Sequence, residues 1–128
     1  MNIIDQIQRN IFLEKIFPEG LDSNLLIGNL DLRLDGNLLV DIHTLQKPHI
    51  EIPKWGIWNK DYNVIVIKIL CSGLSDMHIT NWMGNKFSGV NFIYKNNRYI
   101  ISSKEANSSV SITCSGLIFQ ECSTYIME

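Results

Sequence analysis

The sequence predicts a mainly β protein: an antiparallel β-sandwich or partly open barrel of about eight short strands, preceded by one N-terminal amphipathic helix. Three observations lead there. Helical periodicity is confined to the first 17 residues. From Leu25 onward the apolar residues alternate with polar ones. Turn signals (DG, SG, NN and a second SG) punctuate these alternating stretches. At 128 residues, 45% hydrophobic and 19% charged, the chain has the size and balance of one globular domain spanning 1–128.

The helix is placed at about 2–17. Ile3, Ile4, Ile7, Ile11, Phe12 and Ile16 recur at three- and four-residue steps, and Pro18 and Gly20 end the run. Its polar side lacks the Lys/Arg density of a membrane-surface helix, so it is expected to pack on a sheet. The β-rich region covers about 25–127. In "NLDLRLDGNLLVDIH", Leu30, Leu32 and Leu34 share even parity with Leu38, Val40 and Ile42. Paired strands must present their apolar rows to the same side, which calls for an odd loop, most simply Asp35-Gly36-Asn37. That register sets Asp31 opposite Asp41 and Asn29 opposite His43, with Arg33 diagonal to Asp41.

Pro48 and Pro53 restrict "QKPHIEIPKWG" to an edge strand or an extended connection. Asn63 to Cys71 is apolar on both sides and reads as a central strand. "MHITNW" is a further strand. "VNFIYKNNRYIISS" is a hairpin about Asn96-Asn97, pairing Lys95 with Arg98, Tyr94 with Tyr99 and Phe92 with Ile101. "VSITCSGLIF" is expected to close in the same way about Ser115-Gly116, pairing Cys114 with Leu117 and Ile112 with Phe119.

Composition narrows the function classes. The net charge is −2, with residues 1–46 at −4, 47–104 at +5 and the tail at −3. Mild overall acidity argues against a dedicated nucleic-acid binder, although the middle third is basic. The longest apolar run, Val64 to Cys71, is broken by Lys68 and too short to span a bilayer. No cationic, apolar leader opens the sequence, so a cytoplasmic protein with reduced thiols is expected.

No phosphate-cradling glycine loop, HExxH, GxSxG or paired-cysteine zinc spacing occurs, and no cofactor is expected. Asp41-x-His43 sets a carboxylate and an imidazole on one strand face, with His49 a turn away. A metal or catalytic role there competes with that of ordinary solvated outer-face residues. Cys71, Cys114 and Cys122 sit among apolar neighbours and read as inert thiols. Trp58 and Tyr62 read as the seal on the end of the sheet, and Trp55, between Lys54 and Gly56, as the ring free to touch a partner.

"LRLDGNLLVDIHTLQKP", followed by "PKWGIWNKDYNVIVIKIL" and "MHITNW", resembles small bacterial immunity proteins that accompany polymorphic toxins, including contact-dependent growth inhibition systems. The likeness spans residues 25–128 and rests on a DG hairpin followed by a tryptophan-rich turn. It implies a non-enzymatic cytoplasmic protein whose partner is the C-terminal domain of a cognate toxin, occluded sterically and electrostatically. Toxin nucleases tend to be basic, so an acidic face would steer encounter. Asp31, Arg33, Asp35, Asp41 and His43, with Trp55 as an aromatic anchor, are the candidate partner-binding residues. Two other classes stand beside this one. A nucleic-acid- or peptide-binding module would use Lys86, Lys95 and Arg98, and a small enzyme would use His43 and His49.

Overall fold

A computed structural model describes residues 2–128. Alternation beyond Leu25 becomes eight strands: β1 (Asn24–Leu32), β2 (Leu38–Thr44), β3 (Val64–Ser72), β4 (Asp76–Thr80), β5 (Ser88–Lys95), β6 (Arg98–Glu105), β7 (Ser108–Cys114) and β8 (Gly116–Tyr125). All pair antiparallel in one sheet of order β4-β7-β6-β5-β1-β2-β3-β8, and the sheet is open. Two four-stranded limbs meet where β1 pairs with β5 through only two residue pairs. At the other end β3 runs into β4, and β7 into β8, round a shared bend. There Ser115 donates its N–H to the Ser72 carbonyl at 2.8 Å. Gly73 takes the bend at φ +61°, with Ser115 Oγ 2.7 Å from where a Cβ would stand.

The inner side of this bent sheet is the core. Leu38, Val40, Ile42 and Thr44 of β2 face Cys71, Ile69, Ile67 and Ile65 of β3. Those in turn face Leu117, Phe119, Cys122 and Thr124 of β8. Val90, Ile101, Val110, Ile112 and Cys114 close the core from the other limb.

The single helix expected at 2–17 is two short ones, α1 (Ile3–Gln6) and α2 (Ile11–Ile16). Of the apolar series, Ile3, Ile4, Ile7 and Ile16 are buried and Phe12 is partly so, but Ile11 is 71% exposed and Leu13 takes the buried place in α2. Between the helices, Gln8 lies along the free side of β8, donating to the Leu117 carbonyl at 2.8 Å and accepting from the Phe119 N–H at 3.0 Å. Strand-type bonds at Gln8 and a left-handed Arg9 (φ 62°) cannot coexist with a continuous helix.

The β1–β2 hairpin has the expected parity and a different register. Leu32 faces Leu38 and Leu30 faces Val40, so five residues, 33–37, form the turn, and Leu34 is fully exposed at its tip. Asp31 therefore faces Leu39, not Asp41, and Asn29 faces Asp41, not His43. The turn is tied down elsewhere: Leu74 N–H donates to the Gly36 carbonyl at 2.9 Å, and Gly73 N–H to Asn37 Oδ1 at 3.4 Å. A bulge at Gly28 then shifts β1 by one residue, so Leu25 and Ile27 on one side of it and Leu30 on the other all face inward.

Pro48 to Ile52 is a connection and not a strand, and it ends in a 3-10 helix at Pro53–Trp55. The strand expected at "MHITNW" is β4, and Trp82 lies beyond it in the 3-10 helix Trp82–Gly84. The Asn96-Asn97 hairpin has the three expected pairs, with φ of 53° and 61° at the two asparagines. The Ser115-Gly116 hairpin does not form. Neither residue has positive φ, so the chain bends from one limb into the other: β7 pairs with β6 and β4, while β8 pairs with β3. No described helix is long and apolar enough to cross a membrane.

Candidate functional site

The outward side of β1, β2, β3 and β8 carries the residues that the sequence singles out. Its cross-strand rows are Asp31–Leu39–Leu70–Ile118, then Asn29–Asp41–Lys68–Glu121, then Leu26–His43–Val66–Ser123. The first row is acidic at one end, with half-exposed aliphatic residues beyond it; the second alternates in charge. Lys68 Nζ lies 3.6 Å from Glu121 Oε1, and Arg33 Nη2 lies 3.4 Å from Asp31 Oδ2. Both pairs face solvent, so they fix side-chain positions more than they stabilise the fold.

Asp41 is set differently. Its Oδ1 is buried and meets no hydrogen-bond donor, although the Lys68 backbone is its ladder neighbour and the Lys68 ammonium turns to Glu121. An unpaired buried carboxylate oxygen lacks a donor worth about 1–3 kcal/mol. His43, two residues along the same face, packs its ring over Gly28, where a Cβ would overlap the imidazole. Its Nδ1 is 2.8 Å from the Tyr125 hydroxyl, and the two rings meet edge-on at 5.5 Å. Burial lowers the His43 pKa, and the nearby Asp41 carboxylate opposes that shift. Burial also pushes the Tyr125 hydroxyl up. His43 is accordingly a neutral, oriented imidazole near neutral pH.

The structure thus brings Asp31, Arg33, Asp41 and His43 onto one face. Asp35 stands in the turn below it, with Oδ1 accepting from the Asn37 N–H at 3.0 Å. Trp55 is elsewhere. It is 8% exposed, on the opposite side of the sheet, edge-on to Phe12 and Tyr62 with both centroids 5.8 Å away. Trp58 is the half-exposed ring of the pair, and Tyr62 is 2% exposed. The expectation that Trp55 is the free ring is reversed, because the 3-10 helix that starts at Pro53 turns Trp55 onto the helices.

His49 does not join His43. Its N–H donates to the Ile16 carbonyl at the end of α2. His78 pairs with Asp76 at 3.1 Å on β4. No group of three or more His, Cys, Asp or Glu side chains suited to a metal occurs among the described residues. The three thiols are free, and Cys71 and Cys114 are buried. The hydrogen bond with Cys114, and then burial, push the Cys71 thiol up, while burial pushes Cys122 up to about 12. Cys114 is shifted the other way: the hydrogen bond from Cys71 lowers its thiol against the opposing effect of burial, and its side chain is enclosed in the core. A crevice of about 430 Å³ lies between α1, α2 and Gly20, away from the His43 face.

Lys68, Glu121 and Tyr125 complete the face and were not singled out from the sequence. Alternation alone would put Glu121 and Tyr125 on the side of Leu117 and Phe119; the bulge at Gln120 turns them outward, and the β2-β3-β8 order places them with Lys68 beside Asp41 and His43. No protein-family model, curated protein or solved structure matches this chain at a significant level.

Proposed function

We propose that the chain is a non-enzymatic, cytoplasmic immunity protein that binds and neutralises a cognate toxin domain, by occluding its active or substrate-binding site through the outer face of β1, β2, β3 and β8. The observation that carries this reading is Asp41. Its carboxylate lies on the outward side of the sheet between the Asp31 and His43 rows, beside the half-exposed Leu39, Leu70 and Ile118, a mix of charge and apolar surface that suits a docking protein. The resemblance of residues 25–128 to immunity proteins agrees with it. So does the mixed but acid-leaning charge of Asp31, Asp35, Asp41 and Glu121 against Arg33 and Lys68, which would steer a basic nuclease domain.

The test begins with tagged protein, high-salt washing of native lysate and mass spectrometry. The recovered domain is then purified and assayed for activity with and without the protein. Stoichiometric inhibition, weakened more than tenfold by Asp31→Lys with Asp41→Asn, is the expected result. Unchanged inhibition by the folded double variant removes this face from the proposal. Salt-labile recovery of nucleic acid in place of a protein domain favours the nucleic-acid-binding module.

A further inference from the structure

The two ends of the sheet are finished differently, and the difference points to a second contact surface. At β8, Gln8 occupies part of the free side through two backbone bonds, and a bulge interrupts the ladder to β3. Both are devices that stop an edge from recruiting another strand. At the opposite end, β4 has neither. Its pairing with β7 is unbroken over five residues, its sequence DMHIT contains no proline or lysine, and among the described residues no strand lies on its other side.

The side chains of β4 continue this open edge. Met77 faces Ile112 and Ile79 faces Val110, both core residues, so this row carries the apolar inner side of the sheet out to its rim. There Ile79 is 43% exposed. Just beyond β4, Trp82 is 37% and Met83 97% exposed. Asp76, His78 and Thr80 occupy the other face.

We propose that β4 pairs antiparallel with β4 of a second copy of this chain about a two-fold axis through His78. An unpaired strand edge is satisfied by another strand, and the sequence of β4 is self-complementary in that arrangement. Pairing all five residues requires centring on His78. Met77 then meets Ile79 of the other copy, and Ile79 meets its Met77, so the apolar row runs unbroken across the join. On the other face each Asp76 meets a threonine and lies diagonal to the other copy's His78, so no carboxylate faces a carboxylate. Registers offset by one residue put Met77 against a polar side chain, and those offset by two leave ends unpaired. Five residue pairs with Trp82 and Met83 at the margin form a small interface, so the dimer is a weak, concentration-dependent one. The edge belongs to the limb opposite the Asp41 face, and the inference is independent of the function proposed above.

Sedimentation velocity over a concentration series from about 10 µM to about 1 mM tests it, together with amide hydrogen exchange at both ends of that range. A monomer–dimer equilibrium, with protection of β4 amides rising with concentration, is expected. Ile79→Lys places a charge in the apolar row, and His78→Lys opposes two ammonium groups on the axis. Each is expected to weaken association at least tenfold with an unchanged circular dichroism spectrum, and His78 is exposed enough that its replacement leaves the fold intact. A monomer throughout, which would leave the edge to a different chain, overturns the proposal. So does dimerisation that both variants retain, or added protection confined to β8.

Discussion

Replacing Trp55 by alanine separates two readings of the "WGIW" turn by their magnitudes. Trp55 is 8% exposed and edge-on to Phe12 and Tyr62, each at 5.8 Å. Truncating a buried aromatic of this size costs about 3–5 kcal/mol, including the two ring contacts and the void left between α2 and the sheet. For a chain of this length each kcal/mol moves the melting temperature by roughly 3–5 °C, so Trp55→Ala is expected to melt about 10–25 °C below wild type. Trp58 is half-buried and has one ring partner, Tyr62 at 5.2 Å, so Trp58→Ala is expected to cost about 1–2 kcal/mol. Thermal and urea unfolding followed by circular dichroism measures both. A larger loss for Trp58→Ala, or a Trp55→Ala protein that melts within a few degrees of wild type, refutes the assignment of Trp55 to the core.

Gly28→Ala sets a methyl group into the His43 imidazole and is expected to cost about 1–3 kcal/mol while breaking the His43–Tyr125 hydrogen bond. Loss of stability together with a changed His43 ring resonance in NMR is the confirming pair; an unperturbed ring contradicts the packing. His43 also makes stability depend on pH. Its folded pKa lies below the ordinary 6.5, so the unfolded chain binds the proton more readily. The contribution is complete above about pH 6.5 and is lost as pH falls through the lowered folded value. Melting between pH 7.5 and 5 is expected to fall more steeply for wild type than for His43→Gln, and equal slopes would contradict the burial of this imidazole.

Some of this fold can be read locally, and the instances share a cause. The Asn96-Asn97 hairpin forms as expected because two asparagines at positive φ turn adjacent strands with no help from elsewhere. The shared parity of Leu30, Leu32, Leu38 and Val40 is also local, since a pleated strand with one buried side must alternate. Ser115-Gly116 resembles the same kind of turn, but it lies at the bend where the Ser72 carbonyl takes the Ser115 N–H, and the chain passes from one limb into the other without doubling back. The N-terminal periodicity marks Ile3, Ile4, Ile7 and Ile16 as buried, but it misplaces Ile11, which is exposed, and misses Leu13, because the break at Gln8-Arg9 resets the phase of the second helix. It does not show that Gln8 is more stably bonded to the edge of β8 than to a helix.

The candidate face divides in the same way. Asp31, Asp41 and His43 are legible because alternation puts them outward on one hairpin, and Arg33, in the turn, joins them through its ion pair with Asp31. Their register was set two residues away from the simplest reading, by bonds from Gly73 and Leu74 to the turn. Lys68, Glu121 and Tyr125 joined them only once β3 and β8 took their places in the sheet. By itself, then, the sequence determined strand content, the alternation of sides within each uninterrupted strand segment and the Asn96-Asn97 turn made by its own residues, while the bulges in β1 and β8 reversed that alternation partway along. Strand order, register and the burial of Trp55 were decided by the tertiary structure, because each depends on hydrogen bonds and contacts between segments far apart in the chain.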